Sequence, residues 1–345
     1  RHASNLLHAM ADGIPDAVTR NPSANTVSVL LGGVGGELAL PDHYAVGTNP
    51  VKLVLADVNG DGRPDIVVAN AGSANVSVLL AAPDGTFAPA MHHATGTDPF
   101  GLAVADVTGD GHADIVVSRP AAGTVHVLAG LGNGAFLAPV SLAVGNVPGA
   151  LLVADVDGNG VMDLVIAYRQ PTPALTVLRG SGGGAFGAPQ SRSLSFALDA
   201  MVAADFDGDG TLDIAAAGTE TFRVVLLRGQ GDGTFASPTS WPQANRPTAI
   251  ATADVNGDGR PDLAVALPDA SAVAVYVNPG DGNFPGARLL AAGPGAEGVA
   301  FADLDGDSRP DILTANGRGD SVTVIAAVGR DGFFAGQQFS TVSQP

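Results

Sequence analysis

Short apolar runs broken by turn residues recur along the whole chain. Leu53-Val-Leu-Ala precedes an acidic loop, and Ile66-Val-Val-Ala follows it. Asn75-Val-Ser-Val-Leu-Leu80 comes after a Gly-containing turn, and a weaker run near 88–94 closes the unit. Runs of this kind, bounded by Gly, Asn, Asp and Pro, predict strands; near-continuous Ile, Val, Leu and Ala predict burial on both faces. No apolar stretch approaches the roughly 20 residues that a membrane-spanning helix needs.

The unit has a fixed period. Asp57-Val-Asn-Gly-Asp-Gly-Arg-Pro-Asp65 returns with its leading Asp at 106, 155, 205, 254 and 303, at intervals of 49, 49, 50, 49 and 49. One period before Asp57, His8-Ala-Met-Ala-Asp-Gly-Ile-Pro-Asp16 keeps only the second half of the motif. Seven periods of 49 account for 343 of the 345 residues. A second marker, Asp84-Gly-Thr-Phe87, recurs as turns ending in Phe136, Phe186, Phe235, Phe284 and Phe334, with Leu38 in the first repeat. Its expected job is to anchor a turn onto the sheet.

Four short strands and their turns fill about 49 residues, the size of a propeller blade. A calcium-binding β-helix also repeats acidic, glycine-rich loops, but with a much shorter period. The expected fold is therefore all-β, a seven-bladed β-propeller with four antiparallel strands per blade. It forms one domain over 1–345, with blades near 1–47, 48–96, 97–145, 146–195, 196–244, 245–293 and 294–345. With strand A before the acidic loop and B, C and D after it, the chain starts on strand A of the first blade and ends on strand D of the last. A closing strand shared between the termini is the alternative phase.

Composition agrees: 47 Gly and 24 Pro leave little room for long helices. There is no cysteine, so disulfides and thiolate chemistry play no part. The first residue is Arg1 rather than Met, which reads as a processed or trimmed product. A net charge of −18, from 34 acidic and 16 basic residues, argues against nucleic acid as a partner.

The location of the acids changes that picture. Carboxylates at alternate positions of a tight loop repel one another, and a hard divalent cation turns the repulsion into coordination. Calcium takes 6–8 oxygen ligands, often including a backbone carbonyl. Positions 1, 3, 5, 7 (through its carbonyl) and 9 of each full loop are the candidate ligands. They are Asp57, Asn59, Asp61, Arg63 and Asp65 in the second repeat, and Asp106, Thr108, Asp110, His112 and Asp114 in the third. The fourth and fifth repeats offer Asp155, Asp157, Asn159, Val161 and Asp163, then Asp205, Asp207, Asp209, Thr211 and Asp213. Asp254, Asn256, Asp258, Arg260 and Asp262 follow, and Asp303, Asp305, Asp307, Arg309 and Asp311 complete the set. An ion-free Asx-rich turn explains one such loop, but not six with oxygens at the same offsets. The loops hold 20 of the 34 acids, so six divalent ions would bring −18 to −6. About six Ca2+ are expected, one per loop in blades 2–7.

The copies differ. Position 6 is Gly in five loops, at 62, 111, 160, 210 and 259, but Ser308 in the last, where strain is expected. His8 and Met10 stand at ligand positions of the first repeat, so no calcium is expected there. The His112 ring should face solvent.

Repeats reading Asp-x-Asn/Asp-Gly-Asp-Gly-x-x-Asp followed by Asp-Gly-x-Phe resemble the FG-GAP/VCBS repeats of integrin α-subunit head propellers and secreted bacterial proteins. They also resemble seven-bladed fungal lectins of that class. The resemblance implies a seven-bladed propeller, calcium in the A–B loops on one face, and a secreted or cell-surface location. It implies function less narrowly, since such proteins include adhesion receptors, lectins and accessory domains of lyases and lipases. Millimolar extracellular calcium suits loops of this type, and an ion bound only by the folded state stabilises it.

Catalytic signals are sparse. His43-Tyr44 and His92-His93 stand one period apart in the outer-strand region of the first two blades, where they could hold a transition metal or merely decorate a polar strand. No nucleophile elbow is present. Variable D–A connections and B–C turns are the natural recognition loops. Trp241, just before such a connection, is the candidate ligand-binding aromatic, with packing as its other reading. Arg318-Gly-Asp320 in a B–C turn spells an integrin-recognition tripeptide, and Asn75-Val-Ser77 is a glycosylation sequon. The expected function is a calcium-stabilised extracellular binding or adhesion propeller recognising carbohydrate or a protein partner. The alternatives are a polysaccharide lyase or hydrolase, and a structural segment of a larger surface assembly.

Overall fold

The computed structural model describes residues 4–7, 13–33, 35–145, 147–169, 172–329 and 332–341. Seven four-stranded antiparallel sheets form in chain order, each from strands A, B, C and D of one repeat. The second blade is typical: A spans Pro50–Ala56, B Asp65–Asn70, C Asn75–Leu79 and D Met91–Ala94. The described residues contain no α-helix, only a short 3-10 turn at Pro120–Ala122. The fold is the expected seven-bladed β-propeller.

Burial follows strand position. The B strands are buried on both faces, as in Asp163–Tyr168 and Asp262–Leu267, whereas D strands such as Gln190–Ser193 are mostly exposed. The A strands of successive blades lie against one another and so surround the axis. Apolar clusters fill the spaces between neighbouring blades. One joins Val165, Leu175 and Val177 of the fourth blade to Ile214, Val225 and Phe235 of the fifth.

The ring closes without sharing a strand. The first blade runs from Ser4–Leu7 to Asp42–Ala45, and the seventh from Ala296–Ala302 to Gln337–Ser340. Ala17 and Leu30 of the first blade pack with Leu313, Val322 and Val324 of the seventh. His8 and Met10 of the degenerate loop lie outside the described residues.

A repeated contact locks neighbouring blades together. At three junctions the third residue of strand D rests against the turn aromatic of the following blade. Tyr44 meets Phe87 edge-on at 5.5 Å, His93 meets Phe136 at 5.2 Å, and Trp241 meets Phe284 at 5.4 Å. One expectation needs correction here. The turn aromatic of the seventh blade is Phe333, which pairs with Ala327 as Phe87 pairs with Ala81, while Phe334 is 62% exposed. Each pairing joins the residue sixteen after the ninth-position Asp (seventeen in the fourth blade) to one six further on. The motif read from its Asp-Gly overshoots that position by one.

Candidate functional site

Each acidic loop connects strand A to strand B, so all of them lie on one face with the C–D turns; the D–A connections and B–C turns lie on the other. The first Asp of a loop organises the turn. Asp57 Oδ1 accepts the Gly60 N–H at 2.7 Å, and its Oδ2 accepts the Gly62 N–H at 2.8 Å. Asp106, Asp205 and Asp254 repeat both bonds. Burial pushes the Asp57 carboxyl up, but the N–H groups of Gly62, Gly60, Asn59 and Asp61 outweigh it and hold the group below its usual range.

The ninth Asp is a keystone. Asp65, Asp114, Asp163, Asp213, Asp262 and Asp311 are all fully buried. Asp262 Oδ2 accepts the Val255 N–H at 3.0 Å and its Oδ1 the Asn278 N–H at 2.7 Å, tying the loop to the end of strand C. Every full loop repeats this pair. Burial pushes Asp65, Asp213, Asp262 and Asp311 up to about 6, against the pull of these N–H bonds, and the other loop carboxylates add to the rise.

That arrangement can hold a metal ion. In three loops the carboxylates at positions 1, 3 and 9 converge: Asp155, Asp157 and Asp163; Asp205, Asp207 and Asp213; Asp303, Asp305 and Asp311, with one ligand atom of each within 4.8 Å of the others. Oxygens on opposite sides of an ion with bonds of about 2.3–2.6 Å stand roughly that far apart. A hard, all-oxygen donor set suits Ca2+ or Mg2+ rather than a soft metal. The second, third and sixth blades place Asn59, Thr108 and Asn256 at position 3, which supply neutral oxygens instead. At position 5, Asp61 contacts its own Arg63 guanidinium, and Asp209 accepts the Thr211 hydroxyl at 2.6 Å. Ser308 has φ of 68°, a left-handed backbone where the other loops use Gly.

Two arginines temper the clusters. Arg228 Nε lies 3.1 Å from Asp207, and its Nη2 donates to the Asp281 carbonyl of the next blade at 2.8 Å. Arg179 approaches Asp157 at 3.8 Å and contacts the Asp232 carbonyl in the same way. Each guanidinium therefore partly neutralises a loop and clamps two blades together.

The other singled-out residues fall elsewhere. The Trp241 ring is packed between blades, with Phe206 and Tyr276 completing the cluster around Phe284. His43 Nδ1 bonds with Ser28 Oγ, and His92 Nδ1 with Ser77 Oγ, both at 3.0 Å within their own blades, while His93 packs on Phe136. Among the described residues, the His/Cys/Asp/Glu groups able to hold a metal consist of Asp alone. His112 is exposed, with its ring over Gly132. Arg318 pairs with Asp269 of the sixth blade at 3.1 Å. The Asn75 amide oxygen accepts bonds from Asn70 and Ser73 inside its B–C turn.

A groove that sequence reasoning missed opens between the fourth and fifth blades. Its volume is 330 Å3, and Gln190, Ser191, Arg192 and Thr234 line it beside Leu175 and Phe235. Arg192 is the third residue of its strand D, the site held by Tyr44, His93 and Trp241 in other blades. Instead of filling the gap, its guanidinium donates to the Phe235 carbonyl at 2.7 Å and to Ser237 Oγ at 3.0 Å. Alignment of the outer strands would have flagged this one departure to Arg, though not the groove it leaves.

The comparisons agree with the geometry. A family model described as FG-GAP-like repeat matches residues 10–68, 57–117, 107–166, 155–216, 205–265 and 254–314. The chain belongs to the FG-GAP-like repeat family. No curated protein matches the sequence. Among solved structures, BBS1N in complex with ARL6DN superposes with a TM-score of 0.67 at 16% identity, covering 92% of this chain and 89% of that one. An Agrocybe aegerita lectin, described as recognising non-reducing terminal N-acetylglucosamine, gives 0.65 at 21% identity, covering 99% and 94%. A streptogramin B lyase gives 0.61 at 14% identity, covering 92% and 94%. At such identities the likeness defines the fold alone.

Proposed function

We propose that the chain is a calcium-stabilised binding propeller, secreted or displayed at a cell surface, that recognises carbohydrate in the groove at Arg192. The observation that carries this reading is that groove: amide, hydroxyl and guanidinium groups of Gln190, Ser191, Thr234 and Arg192 beside the apolar wall of Leu175, Val177 and Phe235. Sugars present the same mixture, hydroxyls along the ring edge and C–H groups on its faces. A lectin with the same architecture gives the reading a precedent.

The calcium role is structural. An ion at each full loop would compensate the buried ninth carboxylate and fix the turn that joins strands A and B. Binding only the folded state, it adds about 1.4 kcal/mol per site for each tenfold excess of free ion over its dissociation constant. Millimolar extracellular calcium fills weak sites of this kind, which favours an extracellular setting. A glycan-array screen, run in calcium and after chelation, tests the reading. Binding that is present in calcium and lost in Arg192→Leu supports it; a blank array with calcium-loaded, folded protein refutes carbohydrate recognition.

A further inference from the structure

The axis of the ring carries a second, chemically different cavity. It occupies 260 Å3 at the end where the A strands begin, on the face away from the acidic loops. Its wall mixes polar surface with apolar side chains such as Leu151 and Ile250, and Phe100, 37% exposed, is in the lining. Four charged residues also line it: Lys52, Arg20, Asp199 and Glu297.

Lys52 is the sole lysine of the chain. It sits where strand A of the second blade shifts register between Pro50 and Lys52, and bulges of this kind re-aim side chains, often beside functional sites. The corresponding shift in the seventh blade falls between Ala296 and Gly298, at Glu297. Arg20 reaches in from the first blade and donates through Nη1 to the Pro50 carbonyl at 3.1 Å. Two cations therefore share one side of a cavity whose wall is part polar and part apolar. Asp199 is engaged elsewhere: Arg169 Nε holds it at 2.9 Å and the Thr219 N–H at 2.7 Å. Among the described residues, Lys52 makes no hydrogen bond or ion pair. Its side chain stays exposed to solvent, although the protein crowded around it and the nearby Arg20 charge hold its ammonium below the usual lysine range.

We propose that this axial cavity binds a small organic carboxylate, its charged end held by Lys52 and Arg20 and its body against the apolar part of the wall. The volume admits a ligand smaller than most drug-sized molecules, whose pockets start at about 300 Å3. An ammonium and a guanidinium together suit a carboxylate, the first as a point charge and the second as a planar fork. Glu297 is the one lining carboxylate without an arginine partner among the described residues, so it opposes a simple carboxylate and would favour a ligand that also carries a donor. This site is separate from the groove at Arg192, and neither depends on the other.

Calorimetric titration of the intact, calcium-loaded protein with acetate, succinate and phenylacetate, and with inorganic phosphate alongside, tests the assignment. Succinate or phenylacetate should bind. Lys52→Met should weaken binding by about tenfold or more, the worth of one charge-assisted contact, and Lys52→Arg should largely restore it. Glu297→Gln should tighten it, a change opposite in sign to any loss from poor folding. No carboxylate binding at millimolar concentration, or binding indifferent to both Lys52→Met and Glu297→Gln, would overturn the proposal. Phosphate binding as tight as that of the carboxylates would overturn the ligand class.

Discussion

Trp241 of the fifth blade stands edge-on to Phe284 of the sixth, with ring centroids 5.4 Å apart and planes at 81°. The geometry is the favoured one for aromatic pairs, and it repeats in kind at Tyr44–Phe87 and His93–Phe136. The lone tryptophan is therefore one copy of a blade-to-blade lock. Trp241→Phe should leave ligand binding unchanged. Phe284→Ala should destabilise by about 3–5 kcal/mol, as large core truncations do. Because Trp241 is the only tryptophan, its fluorescence should shift to the red in Phe284→Ala, and denaturant melts should give the energy.

Arg192 marks the one blade junction where that lock carries a guanidinium. Arg192→Leu should fill the groove with an apolar side chain, as Leu142 and Leu290 do at their junctions. The melting temperature should hold or rise while glycan binding disappears. A variant that melts normally and still binds the same glycan would move the carbohydrate site elsewhere.

Ser308 occupies a left-handed conformation with φ of 68°. For a residue with a Cβ this costs roughly 1–2 kcal/mol, a penalty glycine avoids. Ser308→Gly should therefore raise the melting temperature, by an amount partly offset by the greater freedom glycine gains in the unfolded chain. Differential scanning calorimetry with and without calcium reads the change.

The ninth-position carboxylates predict an inverted pH response. The folded values near 6 of Asp65, Asp213, Asp262 and Asp311 lie above the ordinary 3.8, so between those values the folded state binds more protons than the unfolded one. Stability of the metal-free protein should then rise as pH falls from 7 through 6 toward 4. Calcium needs ionised ligands, so the calcium-loaded protein should lose stability over the same range. Thermal melts at pH 7 and pH 5, with calcium and with chelator, should show the two trends crossing.

The fold was legible because its information is periodic. A turn motif every 49 residues fixes blade number and strand order together, though not how the ring closes, and the apolar runs carry enough β-branched residues to declare strands. The loops were legible for a related reason: their carboxylates have no use at that spacing unless something compensates them. What stayed hidden depends on contacts between repeats. Phe333 rather than Phe334 docks because pairing is counted from the strand end, a register the local motif does not encode. Arg192 reads as one more residue of a short, variable outer strand until the next blade is laid against it. Lys52 is visible as a lone lysine, but its place on the axis exists only once seven blades close a ring.

Metal content measured together with stability tests the account most directly. Protein equilibrated in millimolar calcium and desalted should retain calcium, near six ions per chain if all full loops fill. Chelation should lower the melting temperature while leaving the β-sheet circular dichroism spectrum in place. Protein that retains no calcium, and melts at the same temperature with or without it, would contradict the assignment of the six loops as the structural metal sites of this propeller.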